Sequence, residues 1–105
     1  MPDPFVYMWA YRVLPECFDE FQEIYGPEGS WVELFRRAPG YLDTQLLQDR
    51  NESNRFVTID RWESEEAFVS FRTKLAREFD DLDRMGERLT MDETALGEFR
   101  PMDGT

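Results

Sequence analysis

The residues of this chain that could do chemistry are carboxylates and aromatic side chains, because its 105 residues include no histidine. The absence of histidine excludes Ser-His-Asp and Cys-His catalysis and histidine-ligated zinc or iron, and it argues against a proximal-histidine haem site. The sequence also lacks a Gly-rich phosphate-binding loop. Asp80, Asp81 and Asp83 are expected to form a solvated helix face rather than a metal site. We therefore expect no metal and no cofactor.

Asp60 and Trp62 are the strongest candidate pair, because they lie two residues apart in a strand-like segment and so share one face of it. Burying a carboxylate inside a strand beside a large indole is unfavourable unless the carboxylate is paired or has a functional role. An ion pair with Arg12 or Arg55 is the interpretation that the residues favour. The alternative is that Asp60 is a buried acid–base group.

Aromatic residues make up 15% of the chain, and several recur where they could line a cavity beside Asp60. Such a cavity, between sheet and helices, is a usual place for a small-molecule site. The alternative for each ring is a place in the hydrophobic core, which a domain of this length needs in any case. The candidates on the helical segments are Trp31, Phe35, Phe68 and Phe71, and those on the first strand are Tyr7, Trp9 and Tyr11.

Four strand-like segments and two helical segments would position these residues. The strands are predicted at residues 5–13, 41–49, 55–63 and 90–99. The first helical connection begins at Pro15 and is interrupted at residues 26–29, after which Ser30 and Glu33 are predicted to form a capping box. The second helical stretch is predicted to follow an N-cap at Ser64. No glycine or proline interrupts it before Gly86, and the sequence leaves open whether it is kinked near Ala76.

The order β-α-β-β-α-β predicts an α+β, ferredoxin-like fold, a four-stranded antiparallel sheet with the helices on one face. The first and third strands would lie at its centre, and both are apolar on both faces. The face without helices would then be a large exposed apolar patch. We therefore expect a homodimer with two such sheets face to face.

Composition limits the partners and the compartment of the protein. The formal net charge is -11, from 23 acidic and 12 basic residues, which disfavours nucleic acid and anionic membranes as partners. Cys17 is the single cysteine, so a reducing compartment is expected. The amino terminus lacks signal-peptide features, and no apolar run approaches the roughly 20 residues of a membrane span. We expect one soluble, cytoplasmic domain over residues 1–105, with its core at about 5–99.

Two segments carry a resemblance to a known family. Pro-Gly-Tyr at 39–41 leads into a strand, and Asp-Arg-Trp-Glu-Ser-Glu-Glu-Ala-Phe at 60–68 joins a strand to a helix. This pattern, with the element order from Phe5 to Phe99, resembles the antibiotic biosynthesis monooxygenase family of the dimeric α/β-barrel superfamily. Many relatives carry a histidine nine residues after the tryptophan, where this chain has Phe71. Histidine-dependent or haem-degrading chemistry is therefore not carried over.

The resemblance implies a homodimeric α/β barrel and a cofactor-independent monooxygenase, since family members can oxidise electron-rich polycyclic phenols with molecular oxygen alone. The substrate would be an aromatic, polyketide-like phenol. Asp60 would be the base, with Trp62 and Trp31 as stacking walls, and Tyr7 or Tyr41 would bind substrate oxygens. Phe35, Phe68 and Phe71 would complete the binding site. The alternatives are a non-catalytic dimer that binds a small apolar ligand and a polyketide cyclase-like enzyme.

Overall fold

The fold is built on one antiparallel sheet, seen in a computed structural model that describes residues 3–102. Its strands pair in the order β2-β3-β1-β4, which confirms the predicted ferredoxin-like α+β arrangement with the first and third strands at the centre. The strands are β1 (Phe5–Val13), β2 (Tyr41–Gln48), β3 (Arg55–Trp62) and β4 (Thr90–Phe99).

β2 and β3 each end one residue earlier than predicted, and the turn after β2 gives the reason for the end of that strand. Asp49 leaves β2 because its Oδ1 accepts hydrogen bonds from the backbone N–H groups of Asn51 and Glu52, at 2.7 and 3.0 Å. A side chain that closes its own turn in this way ends the strand. Glu63 follows the last residue of β3, and its backbone N–H donates to the carbonyl of Gly40 at 2.7 Å.

The first helical connection is interrupted between residues 26 and 29, as predicted. A 3-10 turn at Pro15–Cys17 leads into α1 (Phe18–Tyr25), and α2 (Ser30–Phe35) follows the interruption. The predicted capping box at Ser30 is wrong, because Gly29 is the N-cap and no side chain caps the helix. A Cβ at Gly29 would lie 2.7 and 2.8 Å from the carbonyl oxygens of Glu23 and Ile24, so α2 begins too close to α1 for a side chain at this position.

The second helical region is two helices, α3 (Glu65–Lys74) and α4 (Ala76–Glu87), so the stretch is broken close to Ala76, where the sequence left a kink open. The N-cap at Ser64 is confirmed, since its Oγ accepts a hydrogen bond from the N–H of Ala67 at 3.1 Å. Leu75 breaks the helix with φ -114° and ψ 32°, without a glycine or proline. Residues on both sides of the break pack against the core, so the bend keeps the apolar side of each helix on the sheet.

The two faces of the sheet differ in what they contact. The face toward the helices carries the core, whose members include the almost completely buried Val13, Phe21, Trp62 and Phe71. The opposite face carries the apolar side chains of the alternate positions in the central strands, which are Val6, Met8, Ala10, Val57 and Ile59. No helix in the described part of the chain is long and apolar enough to cross a membrane.

Candidate functional site

A cavity of about 710 Å³ lies between the sheet and the helices. Its volume falls within the range of about 300–1,000 Å³ that small-molecule sites occupy. Eight aromatic rings contribute to its wall, which suits a flat apolar ligand. These rings belong to Tyr7, Trp9, Tyr11, Tyr25, Trp31, Phe35, Phe68 and Phe79.

Asp60 lines this cavity from the middle of the sheet. It is 6% exposed and stands in register between Tyr7 on β1 and Thr44 on β2. Its Oδ1 accepts a hydrogen bond from the Thr44 hydroxyl at 2.5 Å, and that hydroxyl accepts one from the Tyr41 hydroxyl at 2.8 Å. The carboxyl group is therefore held at the end of a short chain of hydroxyl groups.

Burial raises the pKa of Asp60 to about 7, and the hydrogen bond from Thr44 opposes that rise. The predicted ion pair with Arg12 or Arg55 is wrong. Arg12 pairs with Glu52 at 3.0 Å and Arg55 pairs with Asp49 at 3.1 Å. Both arginines lie at strand positions whose side chains point to the face of the sheet opposite Asp60. Asp60 is therefore a buried carboxyl group that lines the cavity and has a pKa of about 7.

Tyr7 stands beside Asp60 and is held by Trp62. The indole N–H of Trp62, which is 0% exposed, donates to the Tyr7 hydroxyl at 3.3 Å. Burial, with the neighbouring charge of Asp60, holds the pKa of Tyr7 well above its usual range. Tyr7 therefore stays protonated, and its proton has no acceptor within residues 3–102. It is a hydrogen-bond donor available to a ligand.

The structure separates the predicted site residues into two groups. Those that line the cavity are Asp60, Tyr7, Trp9, Tyr11, Trp31, Phe35 and Phe68. Trp62 and Phe71 instead pack in the core behind its wall, with ring centroids 5.2 Å apart. Tyr41 acts on the cavity through Thr44 rather than by lining it. Trp62 and Tyr41 therefore orient polar groups of the wall, and Phe71 supports it.

Sequence reasoning missed Thr44, which contacts Asp60 directly. Tyr41 and Thr44 are three residues apart, so strict alternation places them on opposite faces of β2. A register shift between Tyr41 and Asp43 brings both onto the helix-facing side. No local signal in this segment reveals that shift, because its position depends on pairing with β3.

The helix wall of the cavity adds charged groups that the sequence did not suggest. The Arg72 guanidinium lies over the ring of Phe79, 3.9 Å from its centroid. Asp83 lines the cavity, whereas Asp80 and Asp81 are exposed, so the predicted solvated face is wrong for Asp83. Burial and the neighbouring charge of Glu87 raise the pKa of Asp83.

Comparison with known proteins gives a family and a fold. The family model for antibiotic biosynthesis monooxygenase matches residues 4–75. No curated protein matches the chain. Among solved structures, SnoaB, a cofactor-independent oxygenase from Streptomyces nogalater, has a TM-score of 0.74 and 20% identity, over 96% of this chain and 95% of that one.

Two further structures share the fold at lower identity. A conserved protein from Methanosarcina mazei has a TM-score of 0.76 and 14% identity, over 95% of this chain and 94% of that one. A protein from Mycobacterium tuberculosis has a TM-score of 0.74 and 13% identity, over 95% of this chain and 96% of that one. At these identities the likeness extends to the fold alone.

Proposed function

The chain belongs to the antibiotic biosynthesis monooxygenase family, and from that premise we propose that it is a cofactor-independent monooxygenase. Its substrate is an aromatic, polyketide-like phenol, which it oxidises with molecular oxygen. The observation that carries the proposal is the buried Asp60 carboxyl group, with a pKa raised to about 7, in an aromatic cavity of about 710 Å³. An efficient general base has its pKa near the working pH.

The chemistry begins with removal of the phenolic proton by the Asp60 carboxylate. The phenolate is electron-rich, and in this proposal the Tyr7 hydroxyl, which keeps its proton because burial raises its pKa, donates a hydrogen bond to the phenolate oxygen. The protein thus supplies a base and a hydrogen-bond donor in a cavity lined largely by aromatic rings.

The remaining steps belong to the substrate and to oxygen. The phenolate gives one electron to O2, and the radical pair combines at a ring carbon to form a peroxide. Asp60 returns its proton to that peroxide, and loss of the ring C–H proton with cleavage of the O–O bond releases water. One phenol and one O2 thus become one quinone and one H2O, so the reaction balances without any other reductant.

Two residues behind the wall position the reacting groups. The Trp62 N–H donates to the Tyr7 oxygen. The Tyr7 hydroxyl proton is then free to be donated to a ligand. Tyr41 donates to Thr44, which leaves the threonine proton for Asp60. Both are positioning residues in this proposal.

We also propose that the protein is a homodimer through the open face of its sheet. The central strands present Met8, Val57 and Ile59 there, and the edges add Leu47 and Phe99, which are 42% and 47% exposed. A second copy would bury this apolar surface, as in the dimeric barrel that the fold suggests. Light scattering at low micromolar concentration would then give the mass of a dimer, and a monomer mass would contradict it.

The proposed activity is tested by oxygen uptake with purified, chelator-treated protein and a panel of hydroxylated anthrones and naphthols. We expect uptake that is proportional to protein, with one quinone formed per O2 consumed. Ligand-dependent quenching of tryptophan fluorescence without uptake would instead identify a binding protein. Conversion of a substrate to a ring-closed product without uptake would identify a cyclase-like enzyme.

A further inference from the structure

The end of the cavity remote from Asp60 contains polar atoms without partners. Among residues 3–102, the buried side-chain atoms that lack a hydrogen bond are Nε1 of Trp31 and Oε1 of Glu93. Both residues line the cavity, and Trp31 is 8% exposed. A buried polar atom left unpaired destabilises the folded state. Both atoms therefore lack a partner in the described part of the chain and line the same cavity, where a ligand could pair with them.

Tyr25 places these two groups at the same end of the cavity. Burial raises the pKa of the Tyr25 hydroxyl, the charge of Glu93 raises it further, and the Trp31 N–H opposes the rise. The rings of Tyr25 and Trp31 lie 6.3 Å apart. The indole N–H influences Tyr25 without a hydrogen bond of normal geometry, so it remains available to a ligand.

The strand register gives the distance between this end and Asp60. Asp60 pairs with Tyr7, whereas Glu93 pairs with Tyr11, on the other side of β1. The two carboxyl groups are therefore four residues apart along the strands and two strands apart across the sheet. That separation is roughly 16 Å between the Cα atoms. A ligand that reaches both ends must be longer than a single ring.

We propose that Trp31 and Glu93 form a second polar subsite, which binds a hydroxyl group at the end of the substrate remote from the phenol that meets Asp60. This inference rests on the proposed function, from which it takes the assumption that the ligand is an aromatic phenol. It adds that the substrate is a fused-ring system with oxygen substituents on opposite terminal rings.

A hydroxyl group is the substituent that satisfies both atoms. Its oxygen accepts from the Trp31 N–H, and its proton is donated to Oε1 of Glu93. A carbonyl oxygen has no proton for Glu93, and an ammonium group has no lone pair for Trp31. A carboxylate or phosphate is disfavoured by the negative charges already present. Burial raises the pKa of Glu93, the nearby charges of Asp83 and Glu87 raise it further, and a contact with Thr90 opposes the rise.

The test is a binding series measured by calorimetry without oxygen, so that affinity is separated from turnover. The first ligand is anthracene with one hydroxyl on a terminal ring. The second has another hydroxyl on the opposite terminal ring, and the third has a methoxy group there. Two added hydrogen bonds should make the dihydroxy compound bind about tenfold more tightly than the first. The methoxy compound, which cannot donate to Glu93, should gain less.

Variants locate the gain at the proposed subsite. Glu93 lies on the edge strand β4 and is only partly buried, so Glu93→Leu should fold and should remove most of the gain. Trp31→Phe, which removes the indole N–H, should also reduce the gain in affinity of the dihydroxy compound. Glu98→Leu is the matched control, since Glu98 is on the same strand and lines the cavity at the Asp60 end, opposite Tyr7. It should keep the full gain.

The outcomes separate this inference from the proposed activity. Equal affinity of the wild-type protein for the monohydroxy and dihydroxy compounds would overturn the subsite alone. An undiminished gain in Glu93→Leu would do the same. Failure to bind either compound would overturn both proposals. A gain that depends on Glu93, in a protein that consumes no oxygen, would establish the subsite and contradict the oxygenase.

Discussion

The Thr44 hydroxyl donates to Oδ1 of Asp60 across the β2–β3 pair, at 2.5 Å, and it reaches this position because β2 shifts register just after Tyr41. The bond lowers the pKa of the carboxyl group, against burial and the charge of Asp43, which raise it. Because Tyr41 donates to Thr44, the threonine proton remains for the bond to Asp60. This small network therefore lowers the pH above which Asp60 can act as a base.

Asp60→Asn should lower turnover by about 10²–10⁴, because the amide cannot take the phenolic proton. The side chain keeps its size and can still accept a hydrogen bond from Thr44. The measurement is the initial rate of oxygen uptake together with quinone absorbance. Asp80→Asn, an exposed carboxylate on α4, is the control and should retain the wild-type rate. Unchanged turnover in Asp60→Asn would remove this residue from the mechanism.

The pH profile of kcat/KM should rise with a midpoint of about 7, because the carboxylate form of Asp60 is the active one. Thr44→Val removes the hydrogen bond that stabilises that form, so its midpoint should move to higher pH. Thr58→Val is the matched control. Thr58 is a buried threonine on β3 that bonds to the Tyr11 hydroxyl at 3.1 Å rather than to Asp60. Equal midpoints for all three proteins would contradict the role of Thr44.

Asp60 should also make the free energy of unfolding fall as pH rises. Its pKa is about 7 in the folded protein against an ordinary value of 3.8, so the folded state holds its proton more tightly. The stability from this group is complete below the lower value and is lost as pH rises through about 7. Relative to Asp60→Asn, the wild type should lose up to roughly 4 kcal/mol between pH 4 and pH 8.

This prediction is checked by urea denaturation of both proteins at several pH values. Asp60→Asn should be the more stable protein at pH 8, and its advantage should shrink toward pH 4. The exposed Asp80→Asn variant should follow the wild type throughout. A difference between wild type and Asp60→Asn that does not vary with pH would show that Asp60 titrates normally.

Gly86→Ala should destabilise the protein by about 1–3 kcal/mol, although alanine favours helices. Gly86 lies within α4, and a Cβ there would collide with the hydroxyl oxygen of the buried Tyr25. The cost should be smaller in a Tyr25→Phe background, which lacks that oxygen. A double-mutant cycle by urea denaturation measures the coupling. Equal costs in the two backgrounds would show that the hydroxyl is not the obstacle.

Ile59→Lys should convert the proposed dimer into a monomer, because it buries a charge at the centre of the sheet face that the second copy would cover. Val69→Lys is the matched control, since Val69 is an exposed apolar residue on α3 and lies outside that face. Light scattering across a concentration series gives the masses. A dimer of unchanged affinity in Ile59→Lys would place the interface elsewhere.

Much of the fold follows from local sequence patterns. Strand-like segments bounded by turn residues mark the four strands, Ser64 caps α3, and the chain between Gly26 and Gly29 interrupts the first helical connection. These features depend on the conformational preferences of a few neighbouring residues. The two-residue repeat of a strand placed Asp60 and Trp62 on one buried face of β3.

The relations among distant residues were decided by tertiary packing. Leu75 leaves the helical conformation because both flanking helices must face the core, and no residue preference signals this. Thr44 contacts Asp60 only because pairing with β3 shifts the register of β2. Likewise, Glu93 and Trp31 share a cavity although they are far apart in the chain. Local propensity acts over a few residues, whereas a site depends on distances between strands and helices that only the packed chain sets.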